Sequence, residues 1–142
     1  MLAVGDRARG GGLRPVHAFL LAATVPLFLG AVLSDYAYTA TYHVQWMNFS
    51  SWLIVGGLVF GFAALVCSLV DMRRADRRRG RFAVSLVLIL AICVLGVVNA
   101  FIHARDAWAT MPTGLILSVI VAVLACAATV IGFYTARWKA AP

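Results

Sequence analysis

Charge is scarce in this chain. Five acidic and twelve basic side chains make up only 12% of the 142 residues. A soluble domain of this length needs far more polar surface to cover its core, so water is excluded as its solvent. Cysteine is scarce as well: Cys67, Cys93 and Cys126 all fall in apolar runs and form no C-x-x-C pair. That pattern excludes a disulfide framework and a zinc site of the usual spacing, and the three thiols read as small core hydrophobes. No C-x-x-C-H segment is present to attach haem covalently. No nucleophile–base spacing or metal motif appears either, so no catalytic constellation is visible, which weighs against an enzyme.

What the chain has in abundance is apolar sequence. It is 63% hydrophobic, with a mean hydropathy of +0.95. A bilayer core of ~30 Å takes about 20 mostly apolar residues in a helix, and four segments qualify: 16–36, 49–70, 82–102 and 113–136. Each is expected to be helical, because a strand alone in hydrocarbon would leave its amides unpaired. Pro26 removes one backbone bond from the first span and is expected to kink it. Arg7, Arg9 and Arg14 ahead of an apolar run resemble a signal peptide. The run from Val16 to Leu33 is longer than an h-region and no A-x-A site follows, so it reads as a retained first helix. Residues 1–14 then form a basic tail on a single domain that fills 1–142.

The net charge of +7 is no sign of nucleic-acid binding, because the charges gather at span ends, where anionic headgroups lie. Arg7, Arg9 and Arg14 precede span one. Arg73, Arg74, Arg77, Arg78, Arg79 and Arg81 separate spans two and three, and Arg137 and Lys139 follow span four. Only Arg105 lies opposite them. Eleven of twelve positive charges on one side place both termini in the cytoplasm. Trp46, Trp52 and Trp108 mark the outer interface.

The expected architecture is all-α, a four-helix up-down-up-down membrane bundle. Gly57 and Gly61 form a G-x-x-x-G pair, and Ser118, Ala122 and Cys126 a small-residue stripe. Such stripes pack helices within a chain or join copies into a homo-oligomer, and internal packing is the expectation here. Spans one and three both run outward and end near an aspartate, a faint two-hairpin symmetry that falls short of a repeat.

Ionisable groups in membrane spans are costly and mark functional hypotheses. At the cytoplasmic level stand His17 and Asp71, whose helix ends would meet in an antiparallel pair and hydrogen-bond. At the outer level stand Asp35, His43, Asn99, His103, Arg105 and Asp106. Spacings of four and then three put Asn99, His103 and Asp106 on one helix face. An outer polar pocket of Asp35, Asn99, His103 and Asp106 is therefore expected, with His43 and Trp46 of the first outer loop covering it. The competing reading is that these groups cap helix ends in interfacial water. A b-type haem needs two imidazoles. His17 and His103 lie most of a bilayer apart, so only His43 with His103 would serve, and only if the loop folds back.

At several blocks the chain resembles a family of bacterial membrane proteins known as domain of unknown function 2231. They are P-V-H-A from Pro15, V-P-L-F-L-G-A-V-L-S-D from Val25 to Asp35, and Q-W-x-N-F-x-S-W-L from Gln45 to Leu53. N-A-F-I-H-A-R-D-A-W from Asn99 to Trp108 and P-T-G-L-I-L-S from Pro112 to Ser118 complete the set. The resemblance covers nearly the whole chain, implies the four-helix architecture, and marks His17, Asp35, Asp71, Asn99, His103 and Asp106 as fitting the family pattern. Its relatives are often encoded beside or fused to redox modules such as haem c, Rieske or quinoprotein dehydrogenase domains. This implies a membrane subunit or anchor in the bacterial cytoplasmic (inner) membrane, serving a periplasmic quinoprotein or cytochrome partner and holding haem or quinone near His103. The rival readings are a small-solute or ion transporter acting as an oligomer, disfavoured by the apolar middle of every span, and a structural scaffold. If His103 holds such a site, His103→Ala is expected to leave the bundle folded and lose the cofactor or partner.

Overall fold

The computed structural model describes residues 13–74, 79–105 and 107–137. Helix α1 spans Leu13–Thr41 and α2 Val44–Arg74; α3 spans Arg79–His103, α4 is the short Ala107–Thr110, and α5 spans Thr113–Arg137. Four of them are long and apolar enough to cross a membrane: Pro15–Thr41, Val44–Asp71, Ala83–His103 and Thr113–Phe133. α1 stays helical on both sides of Pro26. Late residues of α1 and α3 meet early residues of α2 and α5, as the bonds of Asp35 and His103 with Ser50 and Ser118 show, so the helices alternate in direction. α1 packs between α2 and α5, and α3 packs between the same two, which leaves α1 and α3 diagonally opposite across a central axis.

The helices run further than hydropathy alone implies. α1 continues five residues past Tyr36 and α2 begins five before Phe49, because Tyr38, Thr39, Gln45 and Trp46 tolerate the wet interface without a Gly or Pro to stop the helix. The expected outer loop shrinks to Tyr42 and His43. Tyr42 takes a left-handed conformation (φ 55°) and closes α1 by donating its amide to the Tyr38 carbonyl at 2.8 Å. A bulky residue there is strained by about 1–3 kcal/mol. Its ring stacks on Trp108 (centroids 6.1 Å apart, 19° between planes) and meets Tyr38 edge-on, contacts that offset the strain.

The buried positions recur every seven residues. On α1 they are Leu21, Phe28 and Asp35 with Thr24, Ala31 and Tyr38; on α2, Met47, Ile54, Gly61 and Ser68 with Ser50, Gly57 and Ala64. This is the spacing that keeps one seam of a helix facing its partners. The seam is rich in small and polar residues, while Phe19, Leu33, Val59 and Phe101 point outward. Lipid is as apolar as leucine, so large side chains gain little by turning inward, and close contact comes from small ones. Some hydroxyls within the spans are satisfied by their own helices: Ser34 donates to the Gly30 carbonyl and Ser51 to that of Met47.

The middle of the axis is filled by Phe28, fully buried, whose ring lies against the notch at Gly57 of α2 and near Gly96 of α3. A Cβ on Gly57 would stand 2.7 Å from two carbons of that ring, whereas a Cβ on Gly96 would first meet the terminal methyl of Leu58 at 2.8 Å. The aromatic ring is trapped and the leucine methyl can rotate away. Gly57→Ala is therefore expected to destabilise the bundle by about 1–3 kcal/mol. In Gly96→Ala the gain in helix propensity, roughly 0.5–1 kcal/mol, offsets the adjustment. Thermal unfolding of both variants in one detergent checks the ranking. Gly61 faces Cys93 and Ile92 of α3, so the G-x-x-x-G pair packs within the chain, as expected. Ser118 and Ala122 are buried too. Cys93 lies in the core and Cys67 and Cys126 are half-buried, all as free thiols.

Candidate functional site

Each spanning helix sends polar groups to one level of the axis. Asp35 comes from α1, two turns beyond Phe28; Ser50 comes from the start of α2, Asn99 and His103 from the end of α3, and Ser118 from the second turn of α5. All five are buried, Asp35 and Asn99 fully and His103 to within 5%. His103 Nε2 lies 2.9 Å from Asp35 Oδ1, a contact across the diagonal between side chains of no exposure. Ser118 donates its hydroxyl to Asp35 Oδ2 at 2.6 Å, and Asn99 Nδ2 donates to Ser118 Oγ at 2.9 Å. Ser50 Oγ stands 3.4 Å from His103 Nε2 and donates a long bond (3.3 Å) to the Ala31 carbonyl.

His103 Nδ1 is 3.0 Å from the Asn99 main-chain carbonyl; a carbonyl only accepts, so Nδ1 carries a proton. Nε2 and Asp35 Oδ1 share one further proton, and the short Ser118 contact holds the other carboxyl oxygen. Gly114 permits the assembly, because a Cβ there would stand 2.9 Å from His103 Cε1 and 2.8 Å from Thr110 Cγ2. One turn outward from Asp35 and Ser50 lie Tyr38 and Met47, both buried. Thr110 of α4, also buried, donates to the Ile102 carbonyl.

Of the residues expected to form an outer pocket, Asp35, Asn99 and His103 come together. They form a closed, buried cluster. α3 ends at His103, and Asp106 lies outside the described residues. His43 is exposed in the two-residue link and Trp46 is exposed in the first turn of α2. Ser50 and Ser118 are members that sequence reasoning missed. The signal available was a serine interrupting an apolar run at the depth of Asp35, and Ser118 was read only as a small residue. At the opposite end His17 Nε2 pairs with Ser68 Oγ at 2.8 Å. The partner expected there, Asp71, stands one turn further along α2 in the same seam, seven residues after Ala64, and lies near enough for its charge to act on His17.

A haem held by His43 and His103 does not fit. Both His103 nitrogens are engaged inside the cluster, which leaves none to meet iron, and His43 is exposed while His103 is enclosed. A quinone carbonyl would need the same Nε2–H that Asp35 occupies.

Four apolar helices joined at their axis by a buried polar cluster, with large side chains turned outward, define a multi-pass membrane protein. The family described as predicted membrane protein (DUF2231) matches residues 13–138, and the chain belongs to it. No curated protein and no solved structure matches the chain.

Proposed function

We propose that the chain is a non-catalytic membrane subunit, an anchor in the bacterial inner membrane for a redox enzyme on the outer face. In this reading the arginine-rich end lies in the cytoplasm and the Asp35 end faces the periplasm. The observation that carries the reading is the axial cluster. It draws polar groups from all four spans at one level and commits both His103 nitrogens internally, as expected of a stiff platform and not of a ligand-exchanging site. The redox associations of similar family members supply the kind of partner, a periplasmic quinoprotein or cytochrome. Against transport, Phe28, Ile54, Ile92 and Val121 fill the axis between the Asp35 cluster and the polar groups at the His17 end.

Deleting the chain from its own cells is expected to move an outer-face dye-linked dehydrogenase activity from the membrane fraction to the soluble one. An unchanged distribution of that activity refutes the anchor role. The purified protein is expected to give a flat dithionite-reduced minus oxidised spectrum, and a b-type haem band there would overturn the closed cluster.

A further inference from the structure

The Asp35 end of the bundle is uneven. α3 stops at His103, at the level of the cluster, while α1 runs six residues past Asp35 to Thr41 and α2 starts six before Ser50. The link at Tyr42 and His43 therefore crowns the molecule. Tyr42 lies six residues beyond Tyr36, where the apolar run ends, a rise of about 9 Å along a helix. The headgroup layer on each side of a bilayer is roughly 5–7 Å deep, so the Tyr42 ring reaches the water above it. The Trp108 ring stacked on it stands at the same height. Trp52 instead sits three residues inside its apolar run, at the depth where an exposed ring meets lipid.

The fold does not account for this aromatic pair. Helices close with least strain on glycine or asparagine at a positive φ, yet Tyr42 holds that conformation with a bulky ring. The side chain it supports, Trp108, is 80% exposed and adds little to any core. Backbone strain kept for a ring outside the core points to function. The segment beneath is pinned: the Arg105 amide and the Thr110 hydroxyl both donate to the Ile102 carbonyl, and Thr110 is buried. Trp108 thus projects from a fixed turn, with its orientation set by Tyr42 before anything binds. Arg105, three residues earlier, is the one permanent exposed charge among the described residues at this end.

We propose that Trp108, Tyr42 and Arg105 form a docking surface for a water-soluble protein, the outer-face partner of the anchor reading, on which the inference rests. Large aromatics and arginine carry most of the binding energy at protein interfaces, above all where they are held in place beforehand. Their chemistry defines the face that fits. It offers an apolar pocket to take the indole, with a carboxylate at its rim for the Arg105 guanidinium. Lipid is the poorer occupant, since the stacked pair stands above the headgroups and an anionic-lipid patch takes several cations, not one.

The test is fractionation of the protein's own cells carrying the full chain with Trp108→Ala, Arg105→Glu, Arg105→Lys or, as a control at lipid depth, Trp52→Ala. All three side chains are exposed, so each variant is expected to match the parent in membrane abundance and in thermal unfolding in detergent. Trp108→Ala and Arg105→Glu are expected to weaken docking by roughly tenfold or more, and so to move the dehydrogenase activity into the soluble fraction as deletion of the chain does. Trp52→Ala is expected to leave it on the membrane, and Arg105→Lys, which keeps the charge, to retain most of it. If deletion releases the activity while Trp108→Ala and Arg105→Glu both hold it, the surface is overturned and the anchor reading stands. If deletion itself releases nothing, the anchor reading falls and the surface with it. A photoreactive benzophenone side chain in place of Trp108 is expected to form an adduct with the released dehydrogenase. Labelling of lipid alone, as expected from the same group in place of Trp52, overturns the proposal.

Discussion

His103→Ala is expected to lower the stability of the bundle by about 3–5 kcal/mol, because it removes one half of a buried acid–base pair and leaves the Asp35 carboxyl enclosed without its partner. Burial reverses the expectation drawn from sequence that this variant folds normally. The magnitude also separates the two contributions of the cluster. Hydrogen bonds between membrane helices average about 0.6 kcal/mol each, so the loss of one bond would barely register. A buried acid–base pair with one partner removed is several times worse. Asp35→Leu combined with His103→Leu removes both partners and is expected to lose much less than the sum of the single changes. Ser118 can then turn its hydroxyl to a carbonyl of its own helix. Reversible unfolding in mixed micelles measures all three variants. A His103→Ala protein within about 0.5 kcal/mol of the parent, the range of an ordinary surface substitution, would mean that the pair is not held as described.

Phe28→Ala is the second large effect, about 3–5 kcal/mol, the usual cost of emptying a buried aromatic site. The ring is fully enclosed and set against the notch of Gly57. Helix backbones resist collapse into the void, since Gly57 has no side chain with which to fill it. The same void would open the axis beside the Asp35 cluster, so Phe28→Ala is also expected to raise hydrogen exchange at α3 amides near Gly96. Phe28→Leu retains most of the volume and should cost less. If Phe28→Ala melts with the parent, the axis is not packed through this ring.

The candidate site was half legible. Asp35, Asn99 and His103 stand out because a polar group in an apolar span has to be explained, and α-helical spacing aligns Asn99 with His103. Ser50 and Ser118 were hidden, because serine is common in membrane helices and most such hydroxyls bond their own backbone, as Ser34 and Ser51 do. At the other end charge made Asp71 the expected partner of His17; the imidazole's hydrogen bond goes to Ser68, one turn earlier in the same seam, and Asp71 acts on it through its charge.

The sequence by itself determined that four stretches are long and apolar enough to span a bilayer, because hydropathy is a sum over neighbours along the chain. It also determined the family, through residue blocks that need no geometry. Only the tertiary structure decided which face of each helix turns inward, since helices apolar on every side carry little moment to read. Small and polar residues mark that seam, and their meaning appears only when the helices are set together. The Asp35–His103 contact joins residues 68 positions apart on diagonally placed helices. Such a contact follows from how four helices pack around one axis, and no local stretch of sequence contains it.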